Sequence, residues 1–208
     1  MTAMSSRVHR RALIAAAGGL LVSGCSVLKG PLIPQLYVLR PQLPAATGPR
    51  VTWRLAIAAP DAVASLDTPR IALTRTPTTM DYFANAAWTD RVPLLLQRQL
   101  IQAFDASGRI VSVDRDTSGL EADYLLQTEI REFEARYDTP DGPPQIVIAI
   151  QAKLARMPQR EIANNINVTQ QLAASANNLD SIVAAFNQAV GAAIGQIVTG
   201  TLAMPSPA

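Results

Sequence analysis

Apolar residues fall into two rhythms along this chain, and the switches between them mark its elements. Val51, Trp53, Leu55, Ile57 and Ala59 alternate with more polar neighbours, which predicts a half-buried strand. Asp67-Thr68-Pro69 reads as a turn, Arg70 to Arg75 as a second short strand and Met80 to Phe83 as a third. The period then lengthens. Val92, Leu96, Leu100 and Ala103/Phe104 predict a helix from Thr89 or Asp90 to Phe104, with Thr89 as N-cap, Pro93 tolerated in the first turn and Ser107-Gly108 as the stop. Arg109–Val113 reads as a short strand. Tyr124–Tyr137 reads as a long one whose apolar phase slips between Ile130 and Phe133, the signature of a bulge. After a turn cluster at 138–144, Ile146, Ile148, Ile150, Ala152 and Leu154 alternate, and Met157-Pro158-Gln159 turns into a weaker strand at Glu161–Leu172, completing an antiparallel meander. Asn178 caps a last helix whose buried stripe is Leu179, Ile182/Val183, Phe186, Val190, Ile194 and Ile197/Val198. With the short 80–83 piece left out of the count, the order β-β-α-β-β-β-β-α predicts an α+β fold, an antiparallel or mixed sheet with two helices packed on one face.

The N-terminal pattern is of another kind. Arg7, Arg10 and Arg11 precede an uncharged apolar run from Ala12 to Val22. That run is too short to cross a hydrocarbon layer of about 30 Å as a helix, and it fits the core of a signal peptide. It ends Leu21-Val22-Ser23-Gly24-Cys25, which resembles the bacterial lipobox: Val22, Ser23 and Gly24 precede the cysteine that is acylated and becomes the mature N-terminus. The alternative is a plain secretory signal with an incidental cysteine. Ser26 is not the Asp of inner-membrane retention, so the resemblance implies an acyl-anchored protein on the periplasmic face of the outer membrane. Residues 1–24 are then the signal, and 25–50 an acylated N-terminus with a tether rich in proline (Pro31, Pro34, Pro41, Pro44, Pro49). Within that tether Leu36-Tyr37-Val38-Leu39 has the character of a first strand. Residues 51–203 form the body and 204–208 a flexible tail.

Charge and chemistry change once the signal is set aside. The whole chain of 208 residues carries a net charge of +2, with one Cys and one His. Removing the signal takes away His9 and three arginines, leaving fifteen basic against sixteen acidic side chains. The basic pI of about 9.0 therefore belongs to the signal. Without an imidazole the Ser-His-Asp arrangement is excluded, and a Ser–Lys dyad on Lys153 has no motif behind it. Nine of the sixteen acids lie between Asp114 and Asp141, where Glu129, Glu132 and Glu134 invite comparison with a glycosidase pair. On a regular strand, however, Glu129 faces away from Glu132 and Glu134, and with Arg131 and Arg136 beside them the acids read as a solvated face. Asp114-Arg-Asp116-Thr-Ser118-Gly119 matches the first half of a calcium loop, but its twelfth position is Leu125 instead of a bidentate carboxylate. No metal or cofactor is expected. The near-neutral charge, without a basic patch interleaved with aromatics, excludes a nucleic-acid partner. From Ile162 to the end the only charged side chain is Asp180, and this region contains Gly191-Ala-Ala-Ile-Gly195, a spacing that lets helices approach closely. Asn187, Gln188 and Gln196 argue against a membrane span. A packed amphipathic helix, or an uncharged face that docks a partner, both fit.

Taken in order, several short strings resemble one family. They are the lipobox, Tyr37-Val-Leu39, Leu66-Asp67-Thr-Pro-Arg70-Ile71, Tyr82…Trp88 before the first helix, Leu126…Ile130…Phe133, and Val183-Ala-Ala-Phe186-Asn187-Gln-Ala189. Together, over about residues 36–200, they resemble the auxiliary lipoproteins of ABC-type transport systems, of the paraquat-inducible PqiC/YmbA type. Trp88-Thr89-Asp90 departs from the pattern, where Ala follows the Trp. The resemblance implies a non-enzymatic accessory subunit of an intermembrane lipid (or solvent or toxin) transporter. Its partners would be a mammalian-cell-entry (MCE) domain protein and, through it, an ABC permease and ATPase, and a ring-like homo-oligomer is compatible with it. Tyr82, Phe83 and Trp88 are candidates for partner or lipid contact, core packing being the alternative. An assembly factor for outer-membrane components such as lipopolysaccharide, and a tethered carboxylate-dependent hydrolase, are the competing functions.

Overall fold

One strand organises the molecule. The computed structural model describes residues 33–43 and 47–206, so the signal, Val22, Ser23, Gly24 and Cys25 lie outside the described residues. The elements are β1 (Gln35–Tyr37), β2 (Arg54–Ile57), β3 (Asp61–Ala62), β4 (Arg70–Thr76), β5 (Thr79–Trp88), α1 (Val92–Ser107), β6 (Ser112–Arg115), β7 (Tyr124–Arg136), β8 (Gln145–Arg156), β9 (Glu161–Ala173) and α2 (Leu179–Leu202). Along one side β7 pairs antiparallel with β8, and β8 with β9. Along its other side β2, β3 and β4 follow one another, all parallel to β7. The sheet therefore splits into two wings there: β2 carries β6, whereas β4 carries β5 and then β1. This is the mixed sheet of an α+β fold, with the meander where the alternation placed it.

The core lies on one face of the sheet, under both helices. From β7 it receives Tyr124, Leu126, Ile130, Phe133 and Ala135, and from β8 Ile146, Ile148, Ile150, Ala152 and Leu154, all buried. Helix α2 covers β8 and β9 and touches α1. Its N-cap is the expected one, Asn178 Oδ1 accepting from Ser181 N at 2.9 Å. Two glutamines of α1 are buried but hydrogen-bonded, Gln97 Nε2 donating to the Ile57 carbonyl at 2.9 Å and Gln99 Nε2 to that of Leu39 at 3.3 Å. Each removes a backbone acceptor from water and satisfies it at once.

Several boundaries differ from the sequence reading. Helix α1 begins after Arg91, with no side-chain cap, instead of at Thr89. Thr89 is drawn into the sheet wing, its N–H donating to the Tyr37 carbonyl at 3.0 Å, while Arg91 is pinned by Asp67. The strand expected at 109–113 forms at Ser112–Arg115, because Arg109 is used otherwise: its guanidinium donates to the carbonyls of Thr47 and Pro49. The tether is shorter than expected. The packed unit starts at Pro34. Leu39 is 1% exposed, and Arg40 N donates to Asn187 Oδ1 at 2.6 Å. At the other end Thr52 and Ser206 share a hydrogen bond and Tyr124 Oη donates to the Pro205 carbonyl at 3.1 Å, so the described part of the expected tail, Met204–Ser206, is tied to the body.

Candidate functional site

The three aromatic candidates sit on the β4–β5–β1 wing, and the wing treats them differently. Trp88 ends β5 and is 1% exposed; its ring meets Phe186 and Phe133 edge-on at centroid distances of 5.2 and 6.2 Å, and those two phenylalanines stack at 5.2 Å. It is a core anchor joining wing, central strand and α2, not a contact surface. Tyr82 is half-buried. Its hydroxyl donates to the Ser65 carbonyl at 3.0 Å, and the Arg70 guanidinium lies 3.6 Å above its ring centroid, a cation–π arrangement. Phe83 is also half-buried, leaning on the core edge. Between them and Trp88 the pairing of β5 with β4 is interrupted, and Asn85 takes φ 55°, a left-handed conformation that Asn tolerates better than most residues. The interruption lets Tyr82 and Trp88 face opposite sides of the wing.

The sheet face away from the helices holds the acids. A register shift between Ile130 and Glu132 puts Glu129, Glu132 and Glu134 opposite Gln151, Ala149 and Val147, every second residue of β8. All three carboxylates therefore share one face, which corrects the expectation for an unbulged strand. Each is engaged by an arginine. Arg136 donates to Glu132 and Glu134, both at 2.9 Å, Thr74 Oγ1 also donates to Glu134 at 3.1 Å, and Arg131 lies 3.4 Å from Glu129 while donating to Gln151 at 2.7 Å. Glu134 is the most buried of these acids, at 6% exposure. These pairs floor two open grooves. One, of about 660 Å³, runs between β3 and Lys153; the other, of about 640 Å³, lies under the β4–β5 hairpin. With guanidinium groups on its carboxylates, this face is equipped to present alternating charge. Among the described residues no group of three His, Cys, Asp or Glu side chains is placed to hold a metal ion. The calcium-like string forms the end of β6 and a 3-10 turn at Asp116–Ser118, with Leu125 buried in β7.

At the entrance of β7 a third ionic contact fixes the other wing. Asp123 accepts from Arg54 N at 2.7 Å and from its guanidinium at 3.2 and 3.3 Å. Hydrogen bonding to that guanidinium holds the Asp123 carboxyl below the usual carboxylate range.

The C-terminal region, whose only charged side chain is Asp180, becomes one flank. Strand β9, at the sheet edge, bears no charge after Glu161, and the outward side of α2 carries Ala184, Gln188, Ala192, Gln196 and Thr199. The Gly191–Gly195 spacing acts within the molecule at its first glycine: a Cβ on Gly191 would collide with the carbonyl of Gln42. The chain's own N-terminal segment occupies the close approach there. Helix α2 has the length and hydropathy of a membrane span, but its apolar stripe is the roof of the core.

The mixed sheet with its two roofing helices defines an α+β domain. Residues 37–198 match the family model of the ABC-type transport auxiliary lipoprotein component. The chain belongs to that family. It is similar to a crystallised Xanthomonas campestris protein of the DUF330 family model, with 27% identity and a TM-score of 0.74 over 81% of this chain and 95% of that one. A second crystal structure, of an uncharacterised protein at 16% identity, shares the fold with a TM-score of 0.63 over 79% of this chain and 96% of its own. An uncharacterised protein of Bradyrhizobium diazoefficiens is 31% identical over 137 residues, 65% of this chain; the chain spans only 36% of that relative's length.

Proposed function

We propose that this protein is a non-enzymatic accessory subunit of an MCE/ABC-type intermembrane lipid (or solvent or toxin) transporter, anchored by an acylated Cys25 to the periplasmic face of the outer membrane. The observation that carries the reading is the family match, which spans nearly the whole packed body. Two features of the chain agree with it. Lipobox residues Val22, Ser23 and Gly24 precede the only cysteine. The carboxylates that a hydrolase would use are each held by arginine. In this reading the subunit docks the MCE assembly at its membrane, and the nearly uncharged flank of β9 and α2, which bears only Glu161 and Asp180, is where a protein partner would meet little desolvation cost.

Crosslinking in cells followed by affinity capture of the acylated protein tests this. Recovery of an MCE-domain protein is expected, and it should disappear from the membrane fraction when Cys25→Ser is expressed. Capture that yields no MCE protein, from a strain that encodes one, would sink the proposal.

A further inference from the structure

We propose that the β1 edge is the side of the body that lies against lipid, with Leu36 and Val38 entering the headgroup region of the bilayer. The proposal rests on acylation of Cys25.

Strand β1 is short and at the margin of its wing, paired only with β5. Alternate residues divide cleanly there. Tyr37 packs against the core and Leu39 is buried, whereas Leu36 and Val38 are 60% and 43% exposed. Apolar side chains on a sheet edge invite unwanted pairing, and proteins commonly guard such edges with charge. Here the two stand where the chain leaves the body for Cys25. Ten residue steps separate Cys25 from Gln35. Whatever its path, that leash reaches at most about 35 Å. A body of this size is about 40 Å across. The anchor therefore holds the β1 side, and not the opposite side, nearest the bilayer.

The neighbouring row suits such a surface. Leu36 pairs with Ala87, and Ala87 with Arg70, so the three share one face of the wing. Arg70 is exposed and lies on the ring of Tyr82. A cation beside an aromatic ring with a polar tip and exposed aliphatic side chains is a composition favoured at the headgroup level. Arg40 follows, also exposed. Asp67 and Asp90, which flank the wing in sequence, are held by Arg91 and Arg98, so the surface does not repel an anionic leaflet through free acids there.

Cys25 is the sequence's only cysteine, and acylation blocks it, so a cysteine introduced elsewhere is the sole free thiol. Full-length acylated Leu36→Cys and Val38→Cys, labelled with a fluorophore, would be reconstituted into phosphatidylethanolamine–phosphatidylglycerol vesicles that contain headgroup spin-labelled lipid. Leu120→Cys and Ile162→Cys, exposed to a similar degree at other places on the body, serve as references. Several-fold stronger quenching at 36 and 38 than at 120 and 162 is expected. Equal quenching at all four positions, in protein that floats with the vesicles, overturns the seating and leaves the anchor intact. Protein that does not float with the vesicles overturns the anchor, and the seating with it.

Discussion

Gly191 shows how much a single missing methyl can govern. Its Cα faces the Gln42 carbonyl so closely that any Cβ would meet backbone, which cannot swing aside as a side chain does. Gly191→Ala is expected to destabilise the fold by about 1–3 kcal/mol, the cost of overpacking. The urea midpoint would register it, with faster amide exchange at Leu39, Arg40 and Gln42 than elsewhere. Asp123 gives a second residue-scale prediction, with a sign set by pH. Its folded pKa lies below the ordinary carboxylate value, so its bond with Arg54 stabilises the fold above about pH 4 and that contribution is lost as pH falls through the folded value. Asp123→Asn should therefore lower the denaturation midpoint at pH 7. The gap between variant and parent should narrow on acidification below about pH 4; a gap that does not narrow would contradict the assignment. Neither contact was legible in the sequence. Arg54 and Asp123 are 69 positions apart, and nothing in the composition of either segment pairs them.

At the scale of elements, periodicity carried the large features because burial enforces it. The meander of β7, β8 and β9 and the stripe of α2 each bury one face, so their alternation and 3.6-residue spacing are written in the side chains. The slip between Ile130 and Phe133 marked the bulge as well, though not its effect: one inserted residue returns Glu132 and Glu134 to the face of Glu129. What stayed hidden were the short parallel pairings. Strand β3 has two residues and β1 three, too few for any rhythm, and their partners in β7 and β5 are fixed by tertiary packing. Trp88 misled for a related reason, since a tryptophan before a helix reads alike whether it faces solvent or core. The arginine-held acids of β7 yield an element-scale prediction. Replacing Glu129, Glu132 and Glu134 together by Gln should leave transport-dependent growth unchanged. Stability should fall mainly through Glu134, because exposed ion pairs such as Arg131–Glu129 contribute only up to about 1 kcal/mol each. Loss of growth in a variant that still folds and reaches the membrane would point instead to chemistry on this face.

Across the whole molecule, both ends of the described body, near Leu39–Arg40 and Pro205–Ser206, are tied into the same packed unit. The N-terminal segment is held by Gln99 of α1 and Asn187 of α2, and the C-terminal residues are held by Thr52 and Tyr124. Family, sheet and helix number were accessible from sequence strings in their order. The extent of the body was not, because prolines between 31 and 50 suggested a free tether where Leu39 is in fact buried and Arg40 is bonded to Asn187. Proline fixes backbone angles without deciding whether neighbours such as Leu39 find a place in the core.

That attachment has a mechanical consequence. Strand β1 runs parallel to β5, and its registered pairs Gln35–Ala86, Leu36–Ala87 and Tyr37–Trp88 are arrayed along the strand axis. A pull along that line loads the rungs side by side in shear, so they yield together; a pull across it would peel them one at a time. Behind them the Leu39 carbonyl and the Arg40 amide are pegged to two helices, and the last rung ends at Trp88, wedged between Phe133 and Phe186. Tension applied to that strand is thereby delivered to the core instead of fraying its edge.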